Sequence, residues 1–218
     1  MPNQADCPLC LNAHAQLVFT AKASGRMREF WQCSNCDLLF VPAIYHVSNA
    51  EEEQQYRLHN NESTQAGYVQ FLGLIADQVC DLTTLDKVIL DFGSGPNPVL
   101  AGLLREKGYQ VDLFDPIFSP DESALRAQYD VVTCSEVAEH FNCPKKSWER
   151  LVSLMAPSGN LFVMTHRRDE VKSLEQWYYI RDITHVAFYS NRCMQWLAST
   201  FDLNIRFLSE RVTLFSRR

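Results

Sequence analysis

From residue 87 onward, short apolar runs alternate with segments whose apolar residues recur at helical spacing. Apolar runs bounded by turn residues predict strands, and apolar residues every three or four positions predict amphipathic helices. The predicted strands are 87–92, 109–115, 129–135, 159–165, 201–208 and 212–216, and the predicted helices are 98–108, 147–157 and 190–200. This alternation predicts a mostly parallel sheet with helices on both faces, and the last two strands predict a terminal antiparallel hairpin.

The chain before residue 87 follows a different pattern. A polar helix is predicted around residues 50–59, and a second helix over 64–82 carries a row of apolar positions. Those positions are Val69, Leu72, Ile75, Ala76 and Val79. The N-terminal residues instead form short strand-like runs between turns. We therefore predict three regions, namely a small module over 1–45, a helical linker and helix over 46–85, and an α/β domain over 86–218.

Composition narrows the class of protein. With 218 residues, 46% of them hydrophobic, the chain can bury a substantial core. No apolar run reaches the roughly 18–20 residues of a membrane span, and the N-terminus has no secretory pattern, so we expect a cytoplasmic protein without membrane contact. The formal charge of −6 leaves nucleic acid open as a partner without favouring it, because nucleic-acid binders usually present basic patches.

Four of the eight cysteines form two closely spaced pairs. They are Cys7 with Cys10, and Cys33 with Cys36. Two C-x2-C pairs in a turn-rich segment predict a tetrahedral Zn²⁺ site, whereas a redox C-x-x-C needs only one pair in a βαβ context. Four protein ligands leave no open coordination position, so the predicted zinc is structural.

The loop after the first strand of the α/β domain is rich in glycine and proline. Gly93 and Gly95 allow a tight turn and a close approach of the backbone to a ligand. A phosphate-binding P-loop would end in Gly-Lys-Ser/Thr, and a dinucleotide fingerprint would need glycine where Pro98 stands. Because ligands of such sheets bind at the carboxyl ends of the strands, we predict a ligand site here that is neither of these two types.

Several motifs in order extend this prediction. Residues 88–98 (VILDFGSGPNP), Asp115 at the end of the second strand, 129–141 (YDVVTCSEVAEHF) and 154–165 (LMAPSGNLFVMT) resemble motifs of class I S-adenosylmethionine-dependent methyltransferases. Residues 177–190 (WYYIRDITHVAFYS) are similar to a segment of an uncharacterised bacterial subgroup of that family. The resemblance covers about residues 50–218. It implies a Rossmann-like methyltransferase sheet behind a small zinc-binding module, with S-adenosylmethionine as cofactor.

The resemblance also implies which residues hold the cofactor. They are Asp91, Gly93, Ser94, Gly95, Asp115, Ser135 and Glu136. Asp115 is expected to bind the ribose hydroxyls. Asp91 is expected either to orient the loop or the cofactor ammonium, or simply to cap the loop. Only thirteen residues, Pro116 to Gln128, separate the second strand from the motif of the fourth, so the sheet is expected to have a trimmed edge beside the adenine.

Candidate catalytic residues lie at the end of the fourth-strand motif and in the aromatic connection after residue 165. They are Glu136, His140 and His185, and either histidine can serve as a general base or as a packed structural residue. Arg167 and Arg168 are candidates for holding an acidic substrate or for ordinary solvated surface.

The sequence therefore predicts an S-adenosylmethionine-dependent methyltransferase that acts on a small molecule or sugar-like substrate. One alternative is an RNA methyltransferase whose zinc ribbon binds the substrate. Another is a non-catalytic zinc-ribbon adaptor with a methyltransferase-like domain, which the trimmed edge favours. A nicotinamide oxidoreductase is disfavoured because Pro98 interrupts the dinucleotide fingerprint.

Overall fold

The N-terminal segment folds into an antiparallel sheet. The structure is a computed structural model and describes residues 5–58 and 66–218. The strands of the segment are β1 (Ala15–Ala23), β2 (Arg26–Cys33) and β3 (Leu39–Phe40). β1 and β2 form a hairpin whose two turn residues, Ser24 and Gly25, have φ values of 46° and 83°. Two positive φ angles match the right-handed twist of the strands, which explains the tight connection.

Two helices connect this sheet to the rest of the chain. They are α1 (Asn49–Leu58) and α2 (Ala66–Leu82), and they confirm the two predicted helices. The predicted boundaries at residues 59 and 64 lie outside the described residues. In α2 the predicted apolar row is buried except for Val69, which is half-buried.

The remaining elements alternate as predicted. They are β4 (Val88–Phe92), α3 (Val99–Glu106), β5 (Gln110–Phe114), β6 (Tyr129–Ser135), α4 (Pro144–Ser153), β7 (Met155–Met164), β8 (Ala187–Phe188), α5 (Asn191–Thr200), β9 (Leu203–Phe207) and β10 (Val212–Arg217). The six-stranded sheet has the order β5-β4-β6-β7-β10-β9. Pairs among β4 to β7 are parallel, whereas β10 is antiparallel to both β7 and β9. The predicted parallel sheet and terminal hairpin are confirmed.

One predicted boundary is wrong. The helix expected over 147–157 ends at Ser153, and β7 already begins at Met155. Tyr129 of β6 pairs with Met155 of β7, whereas Val131 pairs with Asn160. The register therefore shifts between these pairs, which indicates a bulge in β7. Apolar residues at the start of the strand continue the helical spacing, so the periodicity alone does not mark this boundary.

The trimmed edge of the sheet is confirmed. β5 is the edge strand, and the described residues 116–128 contain no further strand. They form a short bridge between Asp115 and Ser119 and a 3₁₀ turn over Glu122–Arg126 before β6 begins. The carboxyl end of β5 is therefore flanked by a loop on its outer side.

The connection between β7 and α5, residues 166–190, is called the cap below. It contains three 3₁₀ turns and the two-residue strand β8. β8 pairs with β3, so that the N-terminal sheet has the order β1-β2-β3-β8. Arg28 of β2 reinforces this junction by donating to the carbonyl oxygens of Ile180 and Ile183, at 3.0 and 2.9 Å. The N-terminal sheet and the cap thus form one packed unit.

Helices cover both faces of the large sheet. α2 and α3 pack on one face around Ile75 and Leu104. α4 and α5 pack on the other around Trp148 and Met194, in a cluster that extends to Cys7 of the N-terminal segment. Among residues 5–58 and 66–218, no helix combines the length and the apolar character that a membrane span requires.

Candidate active site

A cavity of about 1240 Å³ opens at the carboxyl ends of β4, β5 and β6. The loops after these strands form its floor, and α1 and the cap form its walls. Single-ligand cavities usually measure about 300–1,000 Å³. The cavity therefore has room for two molecules side by side, at the position where ligands bind in open α/β sheets.

The glycine loop after β4 lines this cavity. Gly93 and Gly95 have φ values of 77° and 67°, in the left-handed region that favours glycine. A Cβ atom on Gly93 would lie 2.4 Å from a methyl group of Val137, whereas a Cβ on Gly95 would meet no atom within 4 Å. Gly93 is thus required for packing inside the protein, and Gly95 keeps its side of the loop open.

Asp115 joins this loop to the end of β5. Its Oδ2 accepts a hydrogen bond from the Gly95 amide, and its Oδ1 accepts from the amides of Ile117 and Phe118, all at 2.9 Å. A carboxylate offers about four acceptor positions, so about one is left for a ligand. Asp115 lines the cavity and orders the backbone on both sides of itself.

Asp91 lies below the glycine loop. Its carboxylate is buried, accepts a hydrogen bond from Thr133 Oγ1 at 2.9 Å, and is hydrogen-bonded to the Ala101 amide at the start of α3. The described residues that line the cavity do not include Asp91. Burial raises the pKa of Asp91 from its ordinary value of 3.8 to about 6. These contacts match the loop-capping alternative for this residue.

The raised pKa of Asp91 predicts a pH-dependent loss of stability. Because the folded state disfavours the ionised form, the contribution of Asp91 to stability is present below pH 3.8 and is lost as the pH rises to about 6. A difference of about 2 pKa units corresponds to about 3 kcal/mol. We expect urea unfolding from pH 4 to pH 7 to show wild type losing most of this amount relative to Asp91→Asn. Parallel pH profiles of the two proteins would contradict the prediction.

Ser135 and Glu136 end β6 at the cavity wall. Glu136 adopts a left-handed backbone conformation with φ 52°, which turns the chain sharply after the strand. Its carboxylate lies 3.8 Å from the guanidinium of Arg211 and 3.5 Å from the hydroxyl of Tyr179. Desolvation, followed by repulsion from Glu139, raises the pKa of the Glu136 carboxyl.

The two candidate histidines lie together. The rings of His140 and His185 are 4.6 Å apart at an angle of 74°, and both line the cavity. His185 Nδ1 lies 2.8 Å from the carbonyl oxygen of Tyr179, and His140 Nδ1 lies 3.2 Å from that of Thr184. Since a carbonyl oxygen only accepts, Nδ1 carries the hydrogen in both rings, and the lone pair of each neutral imidazole is on Nε2.

A residue that the sequence analysis missed completes this group. Glu139 is fully buried and accepts a short hydrogen bond from the Tyr179 hydroxyl, which also bonds to Thr165 Oγ1 at 3.1 Å. Glu139 immediately precedes His140 in a 3₁₀ turn, Ala138–His140. A carboxylate next to a candidate base, directly after a strand end, was the sequence signal for it.

The two arginines of the cap serve the fold. Arg167 is buried and donates to Asn191 Oδ1 and Thr213 Oγ1, at 2.7 and 3.0 Å. Arg168 forms an ion pair with Asp37 at 2.5 Å. Neither belongs to the described lining of the cavity, so these contacts do not support the expectations of a substrate site or a solvated surface.

The four paired cysteines converge in the N-terminal module. The Sγ atoms of Cys7 and Cys36 lie 3.5 Å apart, as do those of Cys10 and Cys33, and all four lie within 4.8 Å of one another. Sulfurs bound tetrahedrally at about 2.3 Å to zinc are about 3.8 Å apart. The four thiols therefore match the size of a zinc site. Trp31 packs against the cluster, whereas Phe30 faces the opposite, cap-side core.

A family model described as "Methyltransferase domain" matches residues 66–207, which is well over half of the chain. The chain belongs to this methyltransferase-domain family. The resemblance to the class I S-adenosylmethionine-dependent methyltransferases is thereby confirmed, and so is the Rossmann-like fold class. The matched region contains the glycine loop, Asp115 and the histidine pair, and it excludes the four-cysteine cluster.

Curated relatives of this methyltransferase domain include the ubiquinone biosynthesis O-methyltransferase of Escherichia coli, with 34% identity over 80 residues. That match covers 37% of this chain and 33% of the relative, so the chain matches about a third of the length of the curated protein.

Solved structures extend the similarity in fold. Burkholderia thailandensis 1,6-didemethyltoxoflavin-N1-methyltransferase, solved with its substrate and S-adenosylhomocysteine, has a TM-score of 0.56 at 12% identity and covers 92% of this chain and 99% of its own. Human N-acetylserotonin methyltransferase, solved with S-adenosylmethionine, has a TM-score of 0.53 at 16% identity, covering 78% and 56%. At these identities the similarity shows the shared methyltransferase fold.

Proposed function

We propose that this methyltransferase domain binds S-adenosylmethionine at the glycine loop and methylates a small molecule in the adjoining part of the cavity. The observation that carries the proposal is the open side of Gly95, where a Cβ atom would meet nothing within 4 Å, directly beside the buried Asp115 carboxylate. A loop that leaves such space at a strand end is suited to a ligand that contacts backbone.

The residues around the loop fit the parts of the cofactor. The methionine portion would lie along Gly93, Ser94 and Gly95, and the buried hydroxyl of Ser94, which has no hydrogen-bond partner among the described residues, is available to it. Asp115 would accept from ribose with its remaining acceptor position. Ile117 and Phe118 line the cavity after β5 and offer apolar surface for the adenine, in place of the strand that the trimmed edge lacks.

The rest of the cavity would hold the methyl acceptor. Its walls there are aromatic and acidic, and they include Tyr56 and Glu52 of α1 and Tyr178 and Tyr179 of the cap. A cavity lined by aromatic and acidic side chains suits a small planar or cyclic molecule better than a nucleic-acid strand, which needs a basic groove. The relatives act on molecules of this size, since one methylates 1,6-didemethyltoxoflavin and another is named for ubiquinone biosynthesis.

Methyl transfer asks mainly for positioning. When bound, S-adenosylmethionine supplies a methyl group already activated by its sulfonium, so the protein must align the acceptor with it and exclude water. Glu136 and Ser135 would lie near the methyl group at the end of β6. His140 and His185 line the cavity and would help remove a proton from a hydroxyl acceptor.

We also propose that the four cysteines bind a structural Zn²⁺ ion in a module formed by residues 1–45. The convergence of the four sulfurs supports this, and the pairing of β3 with β8 gives the module a direct role in holding the cap. The cofactor and the acceptor would then be enclosed by a wall that the zinc site keeps in place.

Calorimetric titration with S-adenosylhomocysteine tests the proposed cofactor site. We expect micromolar binding by the wild type and at least about tenfold weaker binding by Gly95→Ala, since the added methyl group enters the space beside Asp115. Gly25→Ala is the matched control, because Gly25 also has a positive φ, of 83°, and open space around its Cβ position, but lies in the hairpin far from the loop. Both variants carry the same backbone strain, so only the site differs.

Two outcomes would contradict the proposal. Equal binding of S-adenosylhomocysteine by Gly95→Ala and wild type would show that the glycine loop does not contact the cofactor. Failure of the folded, zinc-loaded wild type to bind would instead favour the adaptor hypothesis, for which the three amide contacts on the Asp115 carboxylate are the supporting observation.

A further inference from the structure

The cavity contains a second group of potential metal ligands, separate from the cysteines. Glu139, His140 and His185 each offer one ligand atom, and these atoms lie within 4.8 Å of one another. We propose that the three residues form a binding site for a divalent transition-metal ion. Ligand atoms bound to one ion at about 2.1 Å lie at most about 4.2 Å apart. Closure around an ion therefore requires a movement of less than about 1 Å.

The hydrogen bonds of the histidines are those of metal ligands. A histidine that binds a metal through one nitrogen usually donates from the other to a carbonyl or carboxylate, which fixes the tautomer and the ring orientation. Both rings have such a carbonyl partner at Nδ1, Thr184 for His140 and Tyr179 for His185. In that tautomer Nε2 of each ring carries the lone pair and is the nitrogen that would bind the ion.

The carboxylate supplies an independent observation. Glu139 is fully buried, and while its Oε1 accepts from the Tyr179 hydroxyl, its buried Oε2 has no hydrogen-bond partner among the described residues. An unsatisfied buried carboxylate oxygen carries a substantial desolvation cost. A cation shared with two imidazole nitrogens would satisfy this oxygen and compensate its charge.

The ligand set indicates the class of metal and its role. Two imidazoles and one carboxylate suit Fe²⁺, Mn²⁺, Co²⁺ or Zn²⁺, and three protein ligands leave coordination positions open. Because all three residues line the cavity, an open position would face the methyl acceptor. Asp182, whose Oδ2 lies 3.9 Å from His185 Nε2, adds negative charge beside the site. With the two imidazoles bound to it, the ion would take over the role of the histidine base, by binding an acceptor oxygen and lowering the pKa of that oxygen.

This inference goes beyond the proposed function, because metal binding is measurable without a cofactor or a methyl acceptor. The probe is Mn²⁺, which prefers oxygen and nitrogen ligands and competes poorly for a four-thiolate zinc site. Protein with one equivalent of zinc, verified by metal analysis, is titrated with Mn²⁺ while electron paramagnetic resonance reports the unbound ion. We expect one Mn²⁺ per chain with a dissociation constant in the micromolar range.

Variants separate this site from adventitious binding. Glu139→Gln, which keeps the shape of the side chain, and His185→Ala are each expected to weaken Mn²⁺ binding at least tenfold. His14→Ala removes an exposed histidine outside the cavity and should bind like wild type. Folding of each variant is checked by thermal unfolding and by the zinc content. Rescue of Mn²⁺ binding by Glu139→Asp would further distinguish a ligand from a packing residue.

The inference is overturned if the zinc-loaded wild type binds no Mn²⁺, Co²⁺ or Fe²⁺ beyond the cysteine site, or if Glu139→Gln binds Mn²⁺ as wild type does. Titration of the same samples with S-adenosylhomocysteine keeps the two proposals apart. Cofactor binding without Mn²⁺ binding would contradict only the proposed metal site. Mn²⁺ binding without cofactor binding would contradict only the proposed cofactor site.

Discussion

Removal of the proposed zinc ion from the four-cysteine cluster is expected to unfold the N-terminal sheet and to lower Tm by more than about 15 °C. A structural zinc ion contributes about 10–16 kcal/mol of apparent binding free energy at neutral pH, as much as the total stability of an ordinary domain, about 5–15 kcal/mol. The hairpin of β1 and β2 with the two-residue β3 has little core of its own. We therefore expect Cys33→Ser to reproduce the effect of a strong chelator in thermal unfolding.

The chain offers a matched control for this experiment. Cys143 is exposed, lies at the N-terminal end of α4, and is not one of the four clustered cysteines. Cys143→Ser is expected to keep the wild-type zinc content and to change stability by less than about 0.5 kcal/mol. A Cys33→Ser variant with unchanged Tm would show that the cysteines are merely buried thiols.

Loss of the proposed zinc ion should also loosen the cap, which forms one wall of the candidate active site, because the N-terminal sheet pairs with the cap. Asp37, which directly follows Cys36, accepts hydrogen bonds from Arg168 and Ser190 at the two ends of the cap. In addition, β3 pairs with β8, which begins two residues after His185. Hydrogen exchange in residues 178–190 is expected to increase on chelation, while β4 and β6 stay protected. Unchanged protection of the cap would mean that it is held by the large sheet alone.

The sequence predicted the large sheet well because each of its elements carries its own signal. The strands β4 to β6 are short apolar runs between turn residues, and α3 and α5 show clear helical spacing. The loss of an edge strand was also predictable, since residues 116–128 are too few for a helix and a strand. These predictions depend only on local pattern and chain length.

The cap was not predictable in the same way. β8 has two residues, and its partner β3 lies about 150 residues earlier in the chain. No local sequence pattern therefore predicts the pairing. The burial of Arg28 and Arg167 likewise depends on distant carbonyl and hydroxyl partners. Arginine is mostly exposed in proteins, and composition alone therefore suggests a solvated surface.

The candidate site was predicted in part. The glycine loop and Asp115 follow strand ends, where the fold brings ligand-binding residues together. The structure adds hydrogen bonds that the sequence does not indicate. The Asp115 carboxylate accepts from backbone amides of its own and the preceding loop, and the buried Asp91 carboxylate accepts from Thr133. Glu139 lies beside the histidines because it belongs to a buried 3₁₀ turn. His185 belongs to the cap, just before β8, and the pairing of β8 with β3 of the N-terminal sheet helps to position it.

The glycine loop and the histidine group are in contact through Val137, and this predicts a large effect of Gly93→Ala. The new Cβ would lie 2.4 Å from Val137 Cγ2, and the φ of 77° disfavours any side chain. Overpacking and the left-handed conformation together cost about 2–5 kcal/mol. We expect Tm to fall by roughly 5–15 °C, and S-adenosylhomocysteine binding to be lost because the loop must move.

A second substitution separates the two causes. Val137→Ala removes both methyl groups that the Gly93 Cβ would meet, at 2.4 and 2.8 Å, and leaves the backbone strain in place. The double variant Gly93→Ala/Val137→Ala should therefore recover the part of the stability that overpacking costs, about 1–3 kcal/mol. Additive losses in the double-mutant cycle would show that the two residues do not interact. Val137 lies between Glu136 and Glu139 in the chain. If the double variant recovers both stability and S-adenosylhomocysteine binding, the contact between Gly93 and Val137 links the proposed cofactor site to the proposed acceptor site.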